Sequence, residues 1–162
     1  MTENTKIRAL IVTVSDTRRE ADDVSGDALV KLLTDAGAEV VEKIIVSDDF
    51  GDLRQTLYVL TEREDVNLII TTGGTGFAPR DNTPEATRAV IEREAPGLAE
   101  AMRAETLKNT PTAMLSRGIC GIRGKTLIIN LPGSPKGARE CFAVIKPALQ
   151  HAINLLVGIT KH

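Results

Sequence analysis

The residues whose types and spacing could do chemistry are two aspartates and two glycine-bearing loops. Asp48 and Asp81 each stand just beyond an element expected to end at one sheet edge, and paired carboxylates there could hold Mg²⁺ between themselves and substrate phosphates. Gly73-Gly74-Thr75-Gly76 follows an apolar run and precedes a helical pattern, the setting in which glycine brings backbone N–H groups close to a phosphate. It is not GxGxxG, because the third glycine falls too early, and it is not GxxxxGK[ST], because no lysine follows. Pro132-Gly133-Ser134-Pro135-Lys136 offers a second helix N-terminus, with backbone donors and an ammonium group to balance ligand charge. Ser15 and Asp16 end another apolar run. Each aspartate also reads as a plain helix cap, and Asp49 is placed as well as Asp48. Arg80 and Arg117 read either as phosphate neutralisers or as partners of surface acids. No nucleophile has an adjacent base, since neither His151 nor His162 neighbours a strand-end serine, so covalent catalysis is not expected.

Something must bring these loops together. Residues 8–14 (RALIVTV), 39–46, 66–72 (VNLIITT) and 126–131 (TLIINL) are β-branched apolar runs of strand length. Between them lie helical patterns. Ser25 is expected to cap a helix that ends at Gly37, and Leu53, Leu57 and Leu60 form one stripe. Thr83-Pro84-Glu85 opens a helix expected to reach about Glu94, Ala95-Pro96-Gly97 breaks it, and 98–108 resumes. A short helix at 111–117 and a glycine-punctuated segment at 118–124 follow. The tail from 138 to 157 is helical, with Pro147 expected to divide it in two. Strands separated by helices pair in parallel, which predicts a three-layer α/β/α sandwich with a mostly parallel sheet, built as a single domain over 1–162. In such sheets ligands bind beyond the carboxyl ends of the strands, where all four loops should converge.

Composition narrows the function classes. The net charge is −2 and the chain has three Phe, one Tyr and no Trp, so it lacks the positive field and stacking surfaces that nucleic-acid binding uses. Cys120 and Cys141 have no metal-ligand or CxxC spacing and read as buried thiols in a reducing compartment. The polar start at 1–5 lacks the apolar core of a signal peptide, and no apolar run approaches the ~18 residues of a membrane span. A cytoplasmic protein with no membrane partner is expected.

The motifs VSDTR at 14–18, TTGGTG at 71–76 with RDNTPEAT at 80–87, PTAMLSR at 111–117 and INLPGSPKG at 129–137 resemble, in order and spacing, the molybdopterin adenylyltransferases of molybdenum-cofactor biosynthesis. That family comprises the MogA and MoaB proteins, and its domain also occurs in gephyrin. The resemblance covers nearly the whole chain. It implies an enzyme that transfers AMP from Mg-ATP to molybdopterin and releases pyrophosphate. Asp48 and Asp81 match the catalytic, Mg-associated acids, Gly73, Gly74, Thr75 and Gly76 match the pocket loop, and Ser15 and Asp16 match the first strand-end motif. Pro132, Gly133, Ser134 and Lys136 match the loop enclosing the nucleotide, with Ser116 and Arg117 close to the pocket. The implied assembly is a homotrimer, in some members a hexamer, with transient contacts to other proteins of the pathway. One departure is that Phe77-Ala78-Pro79 puts the proline two positions later than in GGTGPxxRD. The alternatives are a non-catalytic molybdopterin carrier of the same family and a nucleotide or nicotinamide hydrolase related to the competence-damage-inducible domain. The latter domain continues its loop as GPTxDD, whereas this chain continues as FAPRDNTPEAT.

Overall fold

A computed structural model describes residues 3–160, so Met1 and Thr2 of the polar start and the terminal His162 lie outside the described residues. Strands β1 (Arg8–Val14), β2 (Glu39–Val46), β3 (Leu68–Thr72), β4 (Arg93–Glu94), β5 (Cys120–Arg123) and β6 (Thr126–Leu131) form one sheet in the order β2-β1-β3-β6-β5-β4. β2, β1, β3 and β6 run parallel, while β5 is antiparallel to β6 and β4 to β5. The sheet is therefore mixed, with its parallel part carrying the four expected strands.

Strand alternation builds the layers. Ala9 and Ile11 face a core with Leu29, Leu33, Phe142, Ile145 and Leu149, which come from α1 (Val24–Asp35) and α5 (Pro135–Leu156); Ala99 and Met102 of α4 (Pro96–Leu107) join them. Leu10 and Val12 face the opposite core, with Leu53 and Leu57 of α2 (Phe50–Thr61) and Ala86 and Val90 of α3 (Thr83–Val90). Each fully buried leucine or isoleucine contributes about 1.5–3 kcal/mol of transfer free energy, so two such cores hold the sheet between helix layers without cross-links. Cys120 and Cys141 are buried free thiols.

Several local expectations are corrected. The cap of α1 is Asp23, whose carboxylate accepts from the Gly26 N–H at 3.1 Å; Ser25 lies inside the helix. α3 ends at Val90, because Arg93 and Glu94 pair with Ile122 and Gly121 as a short edge strand. Pro96 starts α4 as its first residue, where its missing N–H costs nothing, so Ala95-Pro96-Gly97 is a helix start. The glycine-punctuated segment contains β5. α5 runs unbroken through Pro147. Pro147 and Ala143, whose carbonyl cannot accept from the proline, are exposed, while Phe142, Ile145, Leu149 and Ile153 keep the other face buried. The apolar positions near the end of α5 divide: Leu149 and Ile153 are in the core, whereas Leu155 is exposed.

Candidate active site

The chain passes from β1 outward to β2, returns past β1 to β3, and continues to β6 on the other side. Loops leaving β1 and β3 therefore diverge, which opens a crevice at the carboxyl ends of those strands. Gly73 lines the join. Its φ is +103°, its N–H donates to the Leu131 carbonyl at 3.1 Å, and a Cβ there would lie 2.6 Å from the Val14 carbonyl oxygen. The ends of β1, β3 and β6 thus meet at a residue that must be glycine. Thr72 Oγ1 donates to the Pro132 carbonyl at 2.7 Å, which sets the Pro132-Gly133-Ser134 loop beside the glycine loop.

Every carbonyl from Gly73 to Gly76 is occupied. Thr83 Oγ1 donates to Gly73 O at 2.9 Å and Thr83 N–H to Gly74 O at 3.1 Å; Arg117 N–H donates to Thr75 O and Arg117 Nε to Gly76 O, both at 2.8 Å. The N–H groups of Gly74, Thr75 and Gly76 donate to no acceptor among the described residues. Three consecutive free donors on a loop whose carbonyls are all turned to other partners form a concavity suited to an anion. They line a pocket of about 450 Å³, together with Asp81, Ser116, Pro132, Gly133 and Ser134. Ser134 caps α5 through its Oγ, which accepts from Gly137 N–H at 3.0 Å, so the pocket also meets that helix N-terminus. The sequence reading missed Thr106, Thr110, Thr112 and Glu140, polar lining supplied by α4, by the 3₁₀ turn Pro111–Leu115 with its cap Thr110, and by α5. Their only signal was general polarity. Phe77 also lines the pocket and is 69% exposed, an aromatic surface at its mouth.

Asp16 follows β1 and Asp48 and Asp49 follow β2, all three outside the pocket lining that contains Asp81. Asp16 and Asp48 exchange hydrogen bonds: Asp48 N–H donates to Asp16 Oδ1 at 3.0 Å, and Asp16 N–H donates to Asp48 Oδ2 at 2.9 Å. Arg80 clasps Asp16 through Nε at 2.6 Å and Nη2 at 3.1 Å, and this holds the Asp16 carboxyl down to about 2. Burial, then the neighbouring Asp16 and Asp81 charges, push the Asp48 carboxyl above the usual aspartate range. Asp49 is different: it caps α2, accepting from Asp52 N–H at 2.9 Å. Asp81 Oδ2 accepts from the Ala78 N–H at 2.9 Å.

Asp48 and Asp81 both border the glycine loop: a Cβ on Gly74 would lie 3.4 Å from Asp48 Oδ1 and one on Gly76 2.9 Å from Asp81 Oδ2, so a Mg²⁺ ion held there would take most of its ligands from water and substrate phosphate. Among the described residues no group of three His, Cys, Asp or Glu side chains could enclose a metal by itself. Ser15, Asp16, Gly73, Asp48 and Lys136 lie outside the pocket lining. Ser15 Oγ accepts from Thr17 and Arg18 N–H as a turn residue, and Lys136 leans towards Glu140 at 3.9 Å with its side chain 80% exposed. Arg80 and Arg117 are both paired with acids, Arg80 with Asp16 and Arg117 with Glu85.

A family model described as a probable molybdopterin binding domain matches residues 10–151. The chain belongs to the molybdopterin-binding family. Within it, the chain is 42% identical over 139 residues to a molybdopterin adenylyltransferase of Helicobacter pylori, covering 85% of this chain and 79% of that protein. It is 47% identical over 150 residues, 90% of its length, to the molybdenum cofactor synthesis protein cinnamon of Drosophila melanogaster, of which it spans only 25%. The crystal structure of the molybdopterin biosynthesis enzyme MoaB from Thermus thermophilus superposes with a TM-score of 0.86 at 47% identity, covering 94% of this chain and 97% of that one. Among the described residues no helix is long and apolar enough to cross a membrane.

Proposed function

We propose that this molybdopterin-binding chain is a molybdopterin adenylyltransferase that transfers AMP from ATP to the terminal phosphate of molybdopterin. A molybdopterin phosphate oxygen attacks the α-phosphorus of ATP, the bond to the β-phosphate oxygen breaks, and pyrophosphate leaves. No protein nucleophile takes part. The observation that carries this reading is the run of three free N–H groups at Gly74, Thr75 and Gly76 beside Asp81 in the pocket. Nucleotidyl transfer asks chiefly for alignment and charge stabilisation, which fixed donors supply without reorganising. The free amides and the Ser134-capped helix N-terminus bind and orient phosphate oxygens. Asp48 and Asp81 would hold Mg²⁺, which when bound supplies neutralisation of the phosphate charge. The Thr110, Thr112 and Ser116 hydroxyls would give the pterin half hydrogen-bonding partners in a pocket also lined by Phe77 and aliphatic side chains.

The same reading takes residues 1–162 as one domain acting in the cytoplasm as a homotrimer; light scattering that returned a monomer would refute the assembly. Activity is tested by pyrophosphate release from the purified chain with molybdopterin, ATP and Mg²⁺. Asp81→Asn should lower turnover ~10²-fold, the scale of losing one preorganised electrostatic group, while molybdopterin still binds. Unchanged turnover removes Asp81 from the chemistry, and a parent chain that binds molybdopterin without turnover is a carrier.

A further inference from the structure

We propose that Arg117 is a positioning residue that aims the Asp81 carboxylate and the glycine-loop donors by clamping both ends of the segment between Gly76 and Asp81. Its Nε donates to the Gly76 carbonyl and its Nη2 to the Asp81 carbonyl, each at 2.8 Å. Its own N–H donates to the Thr75 carbonyl at 2.8 Å, and its Nη1 pairs with Glu85 on α3. One rigid planar fork therefore fixes two carbonyls five residues apart, a geometry that the single ammonium of a lysine does not reproduce. Within the clamped segment, Asp81 N–H donates to Ala78 O and Ala78 N–H donates to Asp81 Oδ2, both at 2.9 Å. The carboxylate is thereby oriented by a turn that lies within the segment whose two ends Arg117 holds.

The clamp is itself held. Arg103 Nη1 donates to the Gly118 carbonyl at 2.8 Å and to the Ser116 carbonyl at 3.4 Å, on either side of Arg117. Nε, Nη1 and Nη2 each donate a hydrogen bond to the protein, two of them to the backbone of the segment that carries Asp81. Glu85 anchors one corner of the guanidinium but touches neither carbonyl. Removing Glu85 and removing the fork should thus have different consequences.

The catalytic consequence rests on the adenylyl-transfer reading, whereas the clamp belongs to the protein without substrate. Amide hydrogen exchange of the full chain, measured without ligands, decides the clamp whatever the reaction. Arg117→Lys should speed exchange of the hydrogen-bonded Ala78 and Asp81 amides at least ~10-fold relative to the parent, with 68–72 and 126–131 unchanged, and Glu85→Gln should stay near the parent. Exchange within about twofold of the parent in Arg117→Lys overturns the proposal. If the parent turns over, Arg117→Lys should lower kcat ~10-fold or more with less change in the KM for molybdopterin and a higher Mg²⁺ requirement, and Glu85→Gln should largely preserve kcat. Equal losses in both variants would mean that Arg117 serves only its ion pair, which also overturns the proposal. Arg117→Gln, which keeps a donor for one carbonyl, replaces the lysine variant if that protein fails to fold.

Discussion

Replacing Asp49 by alanine and, separately, Asp48 by asparagine tests whether two adjacent acids have different tasks. Asp49 accepts from Asp52 N–H at 2.9 Å, so Asp49→Ala leaves a first-turn donor of α2 without its partner. Loss of such a cap costs about 1 kcal/mol, which lowers the melting temperature of a chain this size by about 2–4 °C. Turnover should stay close to the parent, because Asp49 faces its own helix. Asp48→Asn keeps an oxygen for the Asp16 N–H and loses the charge. Burial and the charges of Asp16 and Asp81 raise the Asp48 carboxyl, so its ionised form is penalised in the fold. A carboxyl raised on folding subtracts stability at neutral pH, and the penalty disappears as pH falls through its folded value. The asparagine removes that penalty at every pH, so its melting temperature should equal or exceed the parent's, while turnover falls ~10²-fold. Pyrophosphate release and thermal unfolding at pH 7, measured on all three proteins, provide the comparison. An Asp49→Ala protein that loses turnover while Asp48→Asn keeps it would falsify the assignment.

Asp23 is fully buried and accepts from Thr13 Oγ1 at 2.7 Å, Gly26 N–H at 3.1 Å and Lys43 Nζ at 3.3 Å; Asp23→Asn must present an NH₂ to one of these donors. The expected loss is ~2–4 kcal/mol in urea unfolding, and a loss below about 1 kcal/mol would show that the network is not needed. The Asp16 carboxyl should titrate near 2 by NMR, and its contribution to stability, complete above the unfolded value, should be lost progressively as pH falls from that value through the folded one. Arg80→Gln should return it towards the ordinary aspartate range; an unmoved midpoint would show that Arg80 is not the cause. Burial pushes the thiols of Cys120 and Cys141 up to about 12 and about 11 respectively, so a thiol-alkylating reagent at pH 8 should label them only after unfolding. Fast labelling of the native chain would contradict the packing.

The apolar runs and loop motifs made the four parallel strands and their converging ends legible, because buried strands and glycine-bearing turns leave strong local patterns. β4 and β5 were not legible. Arg93 and Glu94 have no apolar pattern, and only pairing to Ile122 and Gly121 makes them a strand. Pro147 misled for the opposite reason: a local breaker was overruled by a continuous buried face on α5. Gly74, Thr75, Gly76, Asp81, Ser116 and the Pro132-Gly133-Ser134 loop were readable as site candidates from their position beside strand ends and from the family resemblance, whereas Gly73, Ser15, Asp16, Asp48 and Lys136 lie outside the pocket lining. Thr106, Thr110, Thr112 and Glu140 were not, because nothing in their own neighbourhood distinguishes a pocket-facing hydroxyl from a solvent-facing one.

By itself the sequence determined which residue types were available at the carboxyl edge: glycines able to take positive φ, strand-end acids, and a capped helix start. It left Asp48 and Asp49 equivalent and the roles of Arg80 and Arg117 open, since hydrogen-bond partners distant in sequence are set by tertiary approach. The tertiary structure turned Asp49 to its own helix and Asp48 to Asp16. It also bound Arg117 to carbonyls about 40 residues away in the chain, while the Gly74, Thr75 and Gly76 N–H groups find no acceptor among the described residues.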